Sequence, residues 1–578
     1  MCCRCLPVPA DAETGEARAK AASPLDRAQA AILARLKSGD TDGALADLDR
    51  LIQRLPFEAG PLYLRGVALA QKGDNEAAYS SLLASLRQRP DHVDSAVRAG
   101  RSLVALGRNQ GAVDMFAKAV AIGPESYRAH RGMGFAYQAL GKHGSALRAF
   151  RTALAIKPSD VATLIGATAT LVSARKSERA VAVGRRAVEA GPERVEGWLV
   201  FGDALQLNGN FEEAEQAFLK AVELKPDNPE AQNALGRQYG NMGRYEEAMV
   251  CFRRALEIKP DMIEAKWNLS LNALRMGDYA LGWETYEVRW ERKEAAGHPV
   301  FKEPLWLGDE PLEGKTLLLH GEQGIGDSIQ FLRYVPHVCA LGGRILLGLQ
   351  QRAESLHPCF PSDAEVVYNK TRIPRFDLHA PLGSLPHALR HTLGQTIPAD
   401  VPYLFPQEER LKLWRHRVEE AFGPKGDRPR IGLAWSGDPT HPNDHNRSIR
   451  FTEMLAMFDG IDADLVVLQR PVREIDQADL DASRVVNLAE HSEDMHDALA
   501  LTSLMDLVVS VDTSLAHTAG ALGKEVWVLM PFSPDWRWLI DREDSPWYPT
   551  MRLFRQPAIR AWQPVYERIA ATLRERFA

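Results

Sequence analysis

No apolar run in this chain approaches the roughly 20 residues needed to cross a bilayer, so no spanning helix is expected. The N-terminus also lacks the apolar core of about 7–15 residues that marks a secretory signal, and a cytoplasmic protein is the simplest reading. An excess of basic residues is missing too. Lys and Arg total 70 against 76 Asp and Glu, a formal net charge of -6, which argues against a general binder of nucleic acid or anionic membranes. Cysteine is scarce, with six in 578 residues. Cys251, Cys339 and Cys359 are scattered, while Cys2, Cys3 and Cys5 are too close together for paired zinc ligands and have no partner pair downstream. They read as a frayed tail or a misplaced start codon rather than an acylation or metal site. No metal is implied elsewhere. Asp-x-Asp strings such as Asp462/Asp464 do not fall at the carboxyl end of an expected strand, and His441, His445, His491 and His496 form no ligand set.

What the chain does have is a period. Pro56, Pro90, Pro124, Pro158, Pro192, Pro226 and Pro260 stand 34 residues apart. Within each interval Gly66, Gly100, Gly134, Gly202 and Gly236 share one position, and Ala78, Ala112, Ala146, Ala180, Ala214 and Ala248 share another. Phe116, Phe150, Phe218 and Phe252 share a third, and Tyr137 and Tyr239 a fourth. Small residues where helices cross, aromatics beside them and a proline ending the second helix describe a repeated helix–turn–helix unit. Thr168 and Gly184 break the pattern, so looser packing is expected there. An altered last unit runs through Trp267, Gly282, Trp283, Tyr286 and Trp290 and is expected to seal the stack. The 34-residue pattern resembles the tetratricopeptide repeat from about residue 25 to 261. The resemblance implies an α-solenoid whose concave face binds a protein partner. Arg65, Arg98, Arg101, Arg131 and Arg237 are candidates for that face, or for an ordinary solvated surface.

The second half alternates short apolar runs with helix-length segments. Strands are expected at 315–320, 344–349, 364–367 and 377–379, then at 430–435, 464–469, 484–488, 507–511 and 526–530, with a closing helix over 561–577. Val508–Val511 leads into Asp512, Thr513 and Ser514, all good caps, and then an Ala/Leu-rich helix. A helix starting at the carboxyl end of a parallel strand points free N–H groups and a positive dipole end into the crevice, a seat for phosphate; the plainer alternative is an ordinary capped helix. A similar unit lies upstream, where 315–320 runs into Gly321-Glu322-Gln323-Gly324-Ile325-Gly326-Asp327. Its glycine spacing is neither the dinucleotide fingerprint nor a phosphate-binding loop closed by Lys. The polar loop 436–449 sits where a ligand would, and Arg447 is its natural cation for a phosphate, although a mobile surface loop would look the same.

Two doubly wound, Rossmann-like halves with helix-start sites facing a shared cleft make the GT-B plan. Residues His320–Tyr334, Gly432–Gly437 and the string Asp512-Thr513-Ser514-Leu515-Ala516-His517 resemble glycosyltransferase family 9, the heptosyltransferase-like proteins, over roughly 312–578. That resemblance implies Asp327 as catalytic general base, with a helix N-terminal structural residue as the alternative, and partial burial needed to make it basic enough. It further implies donor binding by Asp512, Thr513, Ser514 and His517, beside Gly324, Gly326 and Arg447. Ser514 stands where those enzymes usually have Gly, and their phosphate-binding Lys has no obvious match, Arg447 being the candidate substitute; these departures weigh against an ADP-heptose donor. Repeats ahead of a GT-B unit also resemble the O-linked N-acetylglucosamine transferases and bacterial flagellin-modifying transferases.

The expected architecture is therefore a leader over 1–24, a solenoid over 25–294, a linker over 295–314, an acceptor-side half over 315–423 and a nucleotide-sugar half over 424–578. The expected function is metal-independent, inverting transfer of a sugar from a nucleotide-sugar co-substrate, without a further cofactor, to a hydroxyl of a protein, with flagellin the leading candidate. The alternatives are a transferase acting on lipopolysaccharide or another glycan, and a non-catalytic scaffold.

Overall fold

A computed structural model of the chain describes residues 23–292, 301–322, 324–369, 371–441 and 443–577. Cys2, Cys3 and Cys5, most of the expected leader and part of the expected linker lie outside them. The chain divides into two compact units at Leu224/Lys225, each with its own interior.

The first unit is a run of antiparallel helix pairs from Pro24–Lys37 to Phe211–Leu224. Each periodic proline falls two residues past the end of a second helix: Pro56 follows Thr41–Arg54, and Pro158 follows His143–Ile156. Proline cannot continue the helical hydrogen bonding and biases its predecessor to extended backbone, so every pair stops at the same length. The turn inside each pair is set by a second series that the proline spacing does not announce. Gly39, Gly73, Gly107, Gly141 and Gly209 all take positive φ, and Arg175 adopts the same conformation in the one repeat without the glycine. The crossing glycines make room for a side chain 16 residues on. A Cβ on Gly134 would lie 2.4 Å from Phe150 Cε1, and one on Gly100 2.7 Å from the Phe116 ring.

The repeat with Thr168 and Gly184 is not loosely packed. Phe201, from the first helix of the following pair, fills the space at Gly184, where a Cβ would come within 2.9 Å of its ring. Thr168 is fully buried and donates its hydroxyl hydrogen to Leu164 O at 2.8 Å. The missing aromatic is supplied from the next repeat.

The second unit opens with two more helix pairs, Pro229–Asn241 with Tyr245–Ile258 and Ile263–Arg275 with Tyr279–Tyr286. It continues into two parallel sheets, an α/β arrangement. The first has strands β1 (Thr316–His320), β2 (Arg344–Gly348), β3 (Glu365–Val367) and β4 (Leu378–Pro381) in the order β3-β2-β1-β4. The second has β5 (Arg430–Ala434), β6 (Asp464–Val467), β7 (Leu507–Val511), β8 (Val526–Met530) and β9 (Met551–Arg555) in the order β6-β5-β7-β8-β9. β5, β7 and β8 are buried at every position, which is why they read as continuous apolar runs.

Two strand expectations need correction. Segment 484–488 is not a strand: Val486 forms a single bridge with Val466, and the Arg484 guanidinium turns away to the carbonyls of Phe458 and Ile461. β9 was not expected, because Arg552 and Arg555 break its apolar pattern. Arg552 lies on the exposed edge, and Arg555 bonds the carbonyls of Trp538, Leu539 and Arg542.

The last repeat is fused to this unit by aromatic packing. Trp283 meets Trp536 edge-on at 5.2 Å and also contacts Phe331 and Trp547. Arg289 reaches Glu322, in the loop after β1, at 3.1 Å and Glu287 at 2.8 Å, with Arg289 and Glu322 almost wholly buried. Among the described residues no helix is long and apolar enough to cross a membrane.

Phe150 is fully buried between two helix pairs. Phe150→Ala is expected to lower stability by about 3–5 kcal/mol in urea unfolding followed by far-ultraviolet circular dichroism. A loss under about 1 kcal/mol would show that its cavity is not rigidly held.

Candidate functional site

Parallel sheets open a crevice where the strand order reverses, outside the carboxyl ends of the strands. In the first sheet that point lies between β1 and β4, where β1 delivers the chain to Gly324 and the helix Ile325–Leu332. In the second it lies between β5 and β7, which deliver Ser436-Gly437 and Asp512-Thr513. Both points open on one cleft of about 2430 Å³, lined by Asp327, Ser436, Arg447, Asp512, Ser514 and Arg537 among others. Gly324, Gly326, Thr513 and His517 line it as well, so the catalytic and donor-binding candidates singled out in the sequence come together here.

The two helix starts touch. A Cβ on Gly326 would lie 3.1 Å from His517 Cδ2 and 3.5 Å from Ser514 Cα, so this glycine is a spacer between helices Ile325–Leu332 and Ser514–Ala521. The starts differ in what they leave open. Gly324 N–H donates to Asp327 Oδ2 at 2.7 Å, so Asp327 caps its own helix. At the other helix Thr513 is the extended cap residue and no side chain caps it. Of its first-turn N–H groups, that of Ala516 donates to Thr513 O at 3.1 Å, and those of Ser514 and Leu515, with the dipole's positive end, are available to an anion.

Arg447 is a strut beside that start. Its Nη1 donates to Asp512 O at 2.8 Å, and a Cβ on Gly437 would sit 2.6 Å from Nη2. Gly437 thus leaves room for the guanidinium, and Arg447 ties together the loops after β5 and β7. The loop after β5 is held further by Gln469, whose Oε1 accepts from the N–H groups of Trp435 and Ser436 at 2.7 and 2.9 Å.

Several residues of the site went unnoticed in the sequence. Arg537, stacked 4.2 Å over Trp536, donates from Nε to Gln330 Oε1 at 2.6 Å and from Nη1 to Asp535 Oδ1 at 2.7 Å. Its Nη2 pairs with Asp327 Oδ1. Both oxygens of Asp327 are therefore engaged, one by its own helix and one by Arg537. The stretch Pro531-Phe532-Ser533-Pro534-Asp535-Trp536-Arg537-Trp538 directly follows an expected strand. The rule that ligands gather at carboxyl ends, applied to β8 as to β7, would have flagged it.

Burial and the Asp535 carboxylate push Asp512 up to about 6, against the opposing pull of Arg447 and Arg537. Burial also acts on Asp535, but the Arg537 guanidinium and its backbone N–H outweigh it and hold Asp535 below the usual carboxylate range. The pair is split, one carboxyl titrating near neutrality and the other not. Burial, then the Arg537 charge, pushes His517 down to about 3. Its ring stacks on Trp538 and its Nδ1 lies 3.0 Å from the Tyr548 hydroxyl, so it serves as a neutral hydrogen-bonding group.

The raised Asp512 value fixes the sign of a pH effect. Between about pH 4 and 6 the folded protein keeps a proton that an unfolded aspartate has released, so stability falls as pH rises through this window. Asp512→Asn is expected to raise the unfolding temperature relative to the wild type at pH 7, with the gain vanishing near pH 4. Midpoints differing by the same amount at both values would contradict the assignment.

Comparison with known proteins bears on the repeats. Tetratricopeptide repeat family models match residues 30–93, 97–161, 202–243 and 229–262. Protein FlbA of Caulobacter vibrioides is 26% identical over 340 residues, 52% of this chain and 53% of FlbA, so the chain spans about half the length of this curated relative. Among solved structures, a tetratricopeptide repeat protein of Parabacteroides merdae is 18% identical over 42% of this chain and 93% of its own, with a TM-score of 0.35. A thermophilic tetratricopeptide protein of Thermus thermophilus is 25% identical over 32% of this chain and 99% of its own, with a TM-score of 0.29. The first half of the chain carries tetratricopeptide repeats, a scaffold for binding other proteins.

Proposed function

We propose that residues 312–578 are a GT-B glycosyltransferase related to family 9. It transfers a sugar from a nucleotide-sugar to a hydroxyl of a polypeptide held by the repeats, with a bacterial surface-filament protein such as flagellin the leading acceptor. The observation that carries this reading is the uncapped start of helix Ser514–Ala521, beside Arg447, at the point where the order of the second sheet reverses. That is a seat for a diphosphate.

In this reading the acceptor hydroxyl oxygen attacks the anomeric carbon and its proton passes to a carboxylate. The bond from that carbon to the phosphate oxygen breaks, and the nucleotide leaves with the electron pair. The N–H groups after Thr513, with Arg447 and Arg537, stabilise the charge that develops on the phosphate. Asp327 is the general base, contributing a factor of about 10²–10⁴. Its partner Arg537 lies in the same cleft, so an arriving diphosphate competes for the guanidinium that otherwise holds Asp327. One observation favours a second reading, a non-catalytic scaffold whose cleft takes no nucleotide-sugar: both Asp327 oxygens are already occupied.

Thermal unfolding in the presence of UDP, ADP, GDP or CMP separates the two outcomes. One nucleotide at 100 times its Kd is expected to add about 2.7 kcal/mol, and Arg447→Ala to abolish the gain. Asp327→Asn should keep that gain and lose sugar transfer. No stabilisation by any nucleotide would sink the donor site and leave the scaffold.

A further inference from the structure

Two residues of the repeats line the same cleft as the helix starts. Asn241 ends helix Pro229–Asn241 and Arg275 ends helix Ile263–Arg275, and both stand in the cleft wall with Ser533, Pro534, Asp535 and Arg537. They are 34 residues apart, one position in successive repeats. The four repeats before them hold Ala105, Ala139, Ser173 and Leu207 there, so packing of the helix pairs does not ask for an amide or a guanidinium at this point.

Contacts fix both against the loop after β8. Ser533 Oγ donates to Gly240 O at 3.3 Å, beside Asn241, and Arg275 Nε donates to Pro534 O at 3.1 Å, beside Asp535. A Cβ on Gly243 would lie 3.3 Å from the Phe532 ring, so the turn after Asn241 packs on this loop as well. What these residues leave open points to a ligand. Among the described residues the half-buried Asn241 side chain makes no hydrogen bond, and Arg275 engages only Nε, leaving Nη1 and Nη2. Asp535 Oδ1 accepts from Arg537 Nη1 at 2.7 Å and from its backbone N–H at 3.1 Å, while Oδ2 has no partner among the described residues. The Asp535 side chain is 38% exposed, so that oxygen can be reached from the cleft.

One guanidinium separates Asp535 from Asp327, because Arg537 pairs with both. The open groups therefore stand beside the place where a sugar would be transferred. A ring of hydroxyls needs acceptors for its O–H hydrogens and donors for its oxygens. A carboxylate oxygen supplies the first, a guanidinium the second and a side-chain amide both. A few such groups in a concave site fix the orientation of a ligand. We propose that Asn241, Arg275 and Asp535 form the subsite that reads the hydroxyl groups of the transferred sugar. The last repeats then complete the donor site itself, apart from any protein they hold. The inference rests on the donor reading of the cleft.

Isothermal titration of the full chain with UDP, ADP, GDP and CMP, beside UDP-glucose, UDP-N-acetylglucosamine, ADP-glucose, GDP-mannose and CMP-N-acetylneuraminate, tests it. At least one nucleotide-sugar is expected to bind more tightly than its parent nucleotide, and Asn241→Ala to reduce that preference about three- to tenfold. The Asn241 side chain has no hydrogen bond to lose and alanine stands at this position in two other repeats, so the variant keeps its fold, which circular dichroism checks. Nucleotides that bind with no preference for any sugar conjugate, or a preference unchanged in Asn241→Ala, would overturn the subsite alone. Absence of binding by every nucleotide would remove the donor reading and this inference with it.

Discussion

Arg537 is the cation on which the cleft depends. It stacks on Trp536 and bonds Asp535 on its own loop, Gln330 and Asp327 on the helix after β1. Loops from two different sheets are thereby held to one guanidinium whose planar fork can satisfy several oxygens at once. Burying a charge is costly unless it is paired and hydrogen-bonded, and here the pairing crosses the cleft floor. Trp536 carries the arrangement outward: it packs on Trp283 and Tyr286 of the last repeat and on Trp547. The final helix pair is therefore part of the wall behind the site, and a change in Arg537 is felt in both directions.

The repeats follow a different logic, local and additive. Each pair is fixed by a proline that ends it, a positive-φ residue that turns it and a small residue that lets an aromatic or leucine in. The contacts run only to neighbours. That frees the surface side chains from structural duty.

Much of this was legible because buried structure leaves a strong imprint on sequence. The 34-residue proline series located the second-helix ends, and strands buried on both faces, such as Leu507–Val511 and Val526–Met530, read as unbroken apolar runs. The edges were not. β9 carries Arg552 and Arg555 because one side of it meets solvent and loop carbonyls, while segment 484–488 is apolar enough for a strand yet leaves the sheet after one bridge. The candidate site was half legible. Caps and glycines mark helix starts, so Asp512, Thr513 and Gly326 could be picked out. The roles of Gly326 as helix spacer and Arg447 as loop strut depend on contacts across 188 to 191 and 65 residues respectively, which no local pattern reports. Arg537 was missed for the same reason, 210 residues from Asp327.

Amide hydrogen exchange on the full chain, with and without a nucleoside diphosphate, tests most directly whether the meeting of the two helix starts is an anion seat. The account predicts slowed exchange at the first amides of helix Ser514–Ala521, with a smaller effect at Gly324–Asp327, and none in the repeats before Leu224. Protection confined to other parts of the chain, or none at a nucleotide concentration that stabilises the protein, would contradict it.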